Sequence, residues 1–195
     1  MARCGHQRVS LPSAFLPSFP ISRFLHYFPS ILTSPALKSL TVAILYACPW
    51  SHQPFIEFAL RSSLDLEQIS FHGVELNSYE LHELLSPMHS LVELTFAHAP
   101  NVLYHLFDAL YCRGTDSRPL VPRLKKLYIV QGWGYSNAHS RLARMVESRW
   151  WTDDVPRKMS RLETVEVVFY DKEIDARVRD RLARCRREGL ILDVS

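Results

Sequence analysis

The chain has 195 residues, 47% of them hydrophobic and 22% charged, values that fit one globular domain or a short repeat array and exclude wholesale disorder. A formal net charge of +3 is too small to imply a polyanionic partner, and no apolar run approaches the ~20 residues of a membrane span. The four cysteines, Cys4, Cys48, Cys112 and Cys185, stand far apart without a C-x-x-C pair, which excludes a disulfide framework or zinc site by spacing and reads as thiols of a reducing compartment, cytoplasmic or nuclear.

Residues 1–34 form an irregular, Pro-rich segment. Pro12, Pro17, Pro20 and Pro29 interrupt every apolar run, so no long helix persists there. The segment has no acid; the first in the chain is Glu57. It reads as a degenerate or truncated first repeat with a short helix near Ser22–Tyr27, the alternative being an organelle transit peptide.

From residue 35 to 195 one pattern recurs: apolar, two others, apolar, one other, apolar, then a helical stretch. It stands at Leu37/Leu40/Val42, Leu66/Ile69/Phe71, Leu91/Leu94/Phe96, Leu124/Leu127/Ile129 and Leu162/Val165/Val167, giving units of 29, 25, 33 and 38 residues. Leu37–Ile44 is the first strand expected, and Pro54 opens a helix to Ser62 with Phe55, Phe58 and Ala59 on one face. Leu66–Phe71 is the second; Asn77 with Glu80 three residues on reads as a capping box for a helix presenting Leu81, Leu84, Leu85 and Met88. Leu91–Phe96 is followed by a helix from Asn101 with Val102, Leu103, Leu106, Phe107 and Leu110 inward. After a loop at Cys112–Pro122 come the strand Leu124–Val130, a turn at Gly132-Trp133-Gly134, and a helix capped by Asn137 that buries Leu142, Met145, Val146 and Trp150. A loop at Thr152–Ser160 leads to the strand Leu162–Phe169. Asp171 is the expected cap of the last helix, with the stripe Ile174, Val178, Leu182 and Cys185. Gly189 takes the left-handed position past that helix, before a sixth strand at Leu190–Val194. Strand and helix alternating in one direction predict a parallel sheet with right-handed crossovers.

These units resemble leucine-rich repeats. Pro122-Arg123-Leu124-Lys125-Lys126-Leu127-Tyr128-Ile129, Leu142-Ala143-Arg144-Met145-Val146-Glu147-Ser148-Arg149, Leu162-Glu163-Thr164-Val165-Glu166-Val167 and Glu188-Gly189-Leu190-Ile191-Leu192-Asp193-Val194 are similar to the C-terminal repeats of fungal F-box proteins. The resemblance implies an α/β leucine-rich-repeat solenoid: a curved parallel sheet of about six strands with helices on the convex side. It further implies substrate recognition for a ubiquitin ligase. The chain departs from the family twice. Leu45, Val74, Ala99, Gly132 and Tyr170 occupy the positions where the repeats place Asn or Cys, and no F-box is found, because Pro17 and Pro20 break the helix that should follow Leu11-Pro12. A ligase adaptor is therefore expected only with an F-box supplied elsewhere.

No catalytic motif is present: no G-x-S-x-G, glycine-rich phosphate loop or H-E-x-x-H, so no enzyme activity and no cofactor are expected. His82/His89 and His98/His105 are each seven apart without an accompanying acid or thiol at ligand spacing, so no metal is expected either. Strand alternation turns a second set of residues away from the core. These are Ser39/Thr41/Ala43, Gln68/Ser70/His72, Glu93/Thr95/Ala97, Lys126/Tyr128/Val130 and Thr164/Glu166/Val168. Gln68, Ser70, His72, Glu93, Thr95, Lys126, Tyr128, Val130, Thr164 and Glu166 are the expected contacts for a protein partner of unknown identity, centred on Tyr128. The second expectation is nucleic-acid binding through the terminal helix, which carries Arg177, Arg179, Arg181, Arg184, Arg186 and Arg187 but no interleaved aromatic.

Overall fold

The computed structural model describes residues 37–44, 51–62, 65–99, 101–112, 119–132, 137–150, 159–169 and 176–194. The expectations for residues 1–34, for Leu45, Trp133, Gly134, Tyr170, Asp171 and Ile174, and for most of the two long loops lie outside these residues.

Strand and helix alternate throughout: β1 (Ser39–Ala43), α1 (Gln53–Arg61), β2 (Gln68–His72), α2 (Ser78–Leu85), β3 (Glu93–Ala97), α3 (Val102–Leu110), β4 (Lys126–Gly132), α4 (Ala138–Trp150), β5 (Thr164–Phe169), α5 (Ala176–Arg187) and β6 (Ile191–Val194). All described strands pair in parallel, in chain order, as one six-stranded sheet. Crossovers of one hand between successive neighbours put the helices on a single face of that sheet. The result is an α/β, solenoid-like stack in which each strand–helix unit packs on the next.

Strands β1 to β5 each begin two residues later than their apolar patterns, and β6 one residue after Leu190. Leu66, Leu91, Leu124 and Leu162 precede β2 to β5, yet each is buried. The cause is a backbone seam at this point of every unit. The carbonyl of Lys38 accepts from the N–H groups of Glu67 and Gln68 at 2.9 and 3.0 Å. That of Glu67 accepts from Val92 and Glu93, that of Val92 from Lys125 and Lys126, and that of Lys125 from Glu163 and Thr164. One oxygen serving two donors bends the chain, so the leading leucine points into the core before the ladder starts.

The register then aligns two apolar rows, Leu40–Ile69–Leu94–Leu127–Val165–Leu192 and Val42–Phe71–Phe96–Ile129–Val167–Val194. In β2 to β5 these side chains are at most 1% exposed. They meet Leu81, Leu84, Leu103, Leu106, Phe107, Leu142, Met145, Val146 and Leu182 from the helices in one cluster. Phe71 and Phe96 stack at 5.2 Å between centroids. Val74 and Ala99 are buried, so apolar packing occupies positions where the resemblance would have placed a hydrogen-bonding side chain.

Helix ends follow local chemistry. The Asn77 side chain accepts from the N–H groups of Tyr79 and Glu80, and the Glu80 carboxylate accepts from the Asn77 N–H at 2.9 Å, completing the capping box. At the end of α5 the Leu190 N–H reaches the Cys185 carbonyl and the Gly189 N–H reaches that of Arg186, with φ +108° at Gly189. That is a Schellman motif, as the glycine implied.

Nothing in the apolar pattern marks Arg149 for the interior. Although charged, it is fully buried, and its guanidinium donates to the carbonyls of Leu110 at 2.7 Å, Leu120 at 2.6 Å and Val121 at 3.3 Å. Burial pulls its pKa down, while hydrogen bonds from a charged donor are among the stronger ones available. The side chain thereby ties the C-terminus of α3 to the segment before β4, where Val121 is held at φ +42°.

Gly73 and Gly189 both have positive φ but differ in surroundings. A Cβ on Gly73 would stand 2.7 Å from the Ile44 carbonyl oxygen, whereas one on Gly189 would meet nothing within 4 Å. Gly189→Ala should cost about 1 kcal/mol of stability from backbone strain alone. Gly73→Ala should cost about 2 kcal/mol or more, because the β1–β2 junction must also shift. Urea unfolding of the two variants checks the order; equal losses would contradict the close approach.

Candidate interaction surface

The outward residues of the strands form rows as regular as those of the core. Ser39, Gln68, Glu93, Lys126, Thr164 and Ile191 are register partners in one row. Thr41, Ser70, Thr95, Tyr128, Glu166 and Asp193 make the next, and Ala43, His72, Ala97 and Val130 a third. The expected site residues therefore do come together on one face, opposite the helices.

Two positions differ from expectation. Thr164 is buried at 7% exposure and Ala97 at 4%. Each is a small side chain between larger register neighbours, Lys126 and Ile191 for Thr164 and His72 and Val130 for Ala97, which screen it from solvent. Thr164 is thus a floor residue of the surface. Three residues join the surface that were not among the expected contacts. Val168 and Ile191 are exposed apolar side chains, at 41% and 62%, and Asp193 is exposed beside Glu166. The alternation of β6 was readable as Leu190, Leu192 and Val194 against Ile191 and Asp193, and extending the rows by one strand finds both.

Tyr128 sits near the middle of β4, half-buried. Burial pushes its phenol pKa up, Glu93 and Glu166 add to the rise, and Lys126 opposes it. At neutral pH the phenol therefore stays protonated and can donate a hydrogen bond, with the Glu93 and Glu166 carboxylates near enough to act on it. Lys126 pairs with Glu93 at 3.6 Å, both partly exposed. A pair of this kind contributes little to stability, so it can open to a partner at small cost.

The terminal helix presents a different surface. Arg181 binds Glu147 on α4 through two hydrogen bonds, at 3.0 and 2.6 Å. Arg184 pairs with Glu188 at 3.2 Å. Val178, Leu182 and Cys185 form its buried stripe. Burial raises the Cys185 thiol to about 11 and also raises that of Cys112, so neither is poised as a nucleophile. Among the described residues no group of three His, Cys, Asp or Glu side chains is placed to hold a metal, and no described helix is long and apolar enough to cross a membrane.

No protein-family model matches this chain. No curated protein matches its sequence.

The Tyr128 phenol should ionise above the ordinary phenol range of about 10. A spectrophotometric pH titration of the wild type minus Tyr128→Phe isolates this group. A difference curve with its midpoint below that range would contradict the burial of Tyr128 and the rise that Glu93 and Glu166 add to it.

Proposed function

We propose that this protein is an interaction module that binds a protein partner across the uncovered face of its parallel sheet. One observation supports this reading above others. Parallel sheets ordinarily have both faces covered, whereas here the described helices share one face and the other carries Tyr128, Val130, Val168 and Ile191 at the surface. A half-buried tyrosine among polar neighbours, with exposed aliphatic residues alongside, has the make-up of an interface centre and rim.

In this reading the units are leucine-rich repeats, curved with the helices outside. The partner is then a substrate for an F-box type ubiquitin ligase, with the adaptor-binding F-box supplied elsewhere. The support for that finer assignment is the sequence resemblance together with one strand and one helix per unit. Nucleic-acid binding through α5 ranks second, since Glu147 and Glu188 engage Arg181 and Arg184.

Affinity purification with mass spectrometry identifies the partner. Tyr128→Ala should then weaken capture by roughly 2 kcal/mol or more, as loss of a hot-spot residue does. The unfolding transition should be nearly unchanged. Equal capture by variant and wild type would contradict the assignment of this face. If α5 binds nucleic acid instead, affinity must fall steeply with added salt.

A further inference from the structure

The outward face is not electrically neutral. Its described charged residues are Glu93, Lys126, Glu166 and Asp193, and the one ammonium is directed to Glu93. Glu166 and Asp193 are register partners on adjacent parallel strands, about 4.8 Å apart along the ladder. Both are exposed, and among the described residues neither makes an ion pair. Like charges directly across a sheet repel, so folding alone gives no reason for this placement. Tyr128 stands next to Glu166 in the same row.

On its helical side the protein repeatedly joins an aromatic ring and a carboxylate through arginine. Arg141 lies over the Tyr104 ring at 3.8 Å and pairs with Asp108. Arg161 lies over the Trp150 ring at 3.5 Å and stands 3.5 Å from Glu188. Tyr128 and Glu166 offer the same two partners on a face whose described residues include no arginine.

We propose that the β4–β6 part of this face receives an arginine of the bound protein segment, its guanidinium over the Tyr128 ring and beside the Glu166 and Asp193 carboxylates. The proposal rests on the interaction-module reading and names the partner's chemistry. Arginine suits the place better than lysine because its planar fork reaches two carboxylates while stacking on a ring. Val130, Val168 and Ile191 are exposed around this point, so apolar side chains flank the arginine in the partner.

The test is a selection of displayed random short peptides on the full 195-residue chain, followed by affinity measurements on the enriched peptides. Arginine flanked by apolar residues should dominate the enriched set, and binding should weaken with salt. The double variant Glu166→Gln/Asp193→Asn should bind these peptides about tenfold more weakly. Its thermal midpoint should not fall, because the substitutions relieve a repulsion; a structural role for the pair would lower it. Enriched peptides without a basic residue, no enrichment at all, or equal binding by wild type and double variant would overturn the proposal. If in the last case Tyr128→Ala still weakens binding, the face remains an interaction surface without a preference for cations. Indifference to both sets of substitutions would overturn the proposal and the interaction-module reading together.

Discussion

The structure depends on one oxygen per unit. The carbonyls of Lys38, Glu67, Val92 and Lys125 each accept two N–H groups from the unit that follows, and the Glu163 carbonyl accepts from Ile191. This contact is made by backbone, so it tolerates any side chain at its own position. It also fixes where each strand starts relative to the last. Successive units are 29, 25, 33 and 38 residues long, yet the register between strands is regular except for one shift between Ile129 and Gly132. Differences in length are absorbed in helices and loops, where closing a longer connection costs little.

A fixed register turns alternation within strands into continuous rows across the sheet. On the inner side the rows are Leu, Ile, Val and Phe, and burying them against the helices supplies the driving force for the stack. On the outer side the same geometry lines up residues that contribute little to folding, and these can vary with a ligand. The rows Glu93–Lys126–Thr164–Ile191 and Thr95–Tyr128–Glu166–Asp193 are by-products of the seam as much as the core is. Fold and candidate site thus share one cause.

That shared cause explains what could be read in advance. The apolar spacing located every described strand and the inward face of each described helix. Its alternation separated the two faces of the sheet, which brought Gln68, Ser70, His72, Glu93, Thr95, Lys126, Tyr128, Val130 and Glu166 onto one surface. What escaped depends on contacts between units distant in the chain. Thr164 is buried through its neighbours in β4 and β6. Arg149 lies outside the apolar stripe expected for its helix, and its interior position follows from carbonyls at Leu110, Leu120 and Val121 that only the folded chain brings together. The starts of β1 to β5 were misplaced by two residues because a two-donor carbonyl leaves no mark on side-chain pattern, whereas that of β6 was misplaced by one.

The central claim is that the partner meets the sheet face, and site-specific photo-cross-linking addresses it most directly. A benzoylphenylalanine placed at Thr95, in the middle of the outward rows, is compared with one at Leu60, which is exposed on α1 on the helical side. Irradiation with bound partner should give cross-linked product from position 95 and none from position 60. Product from position 60 alone would place the partner on the helices and contradict the account.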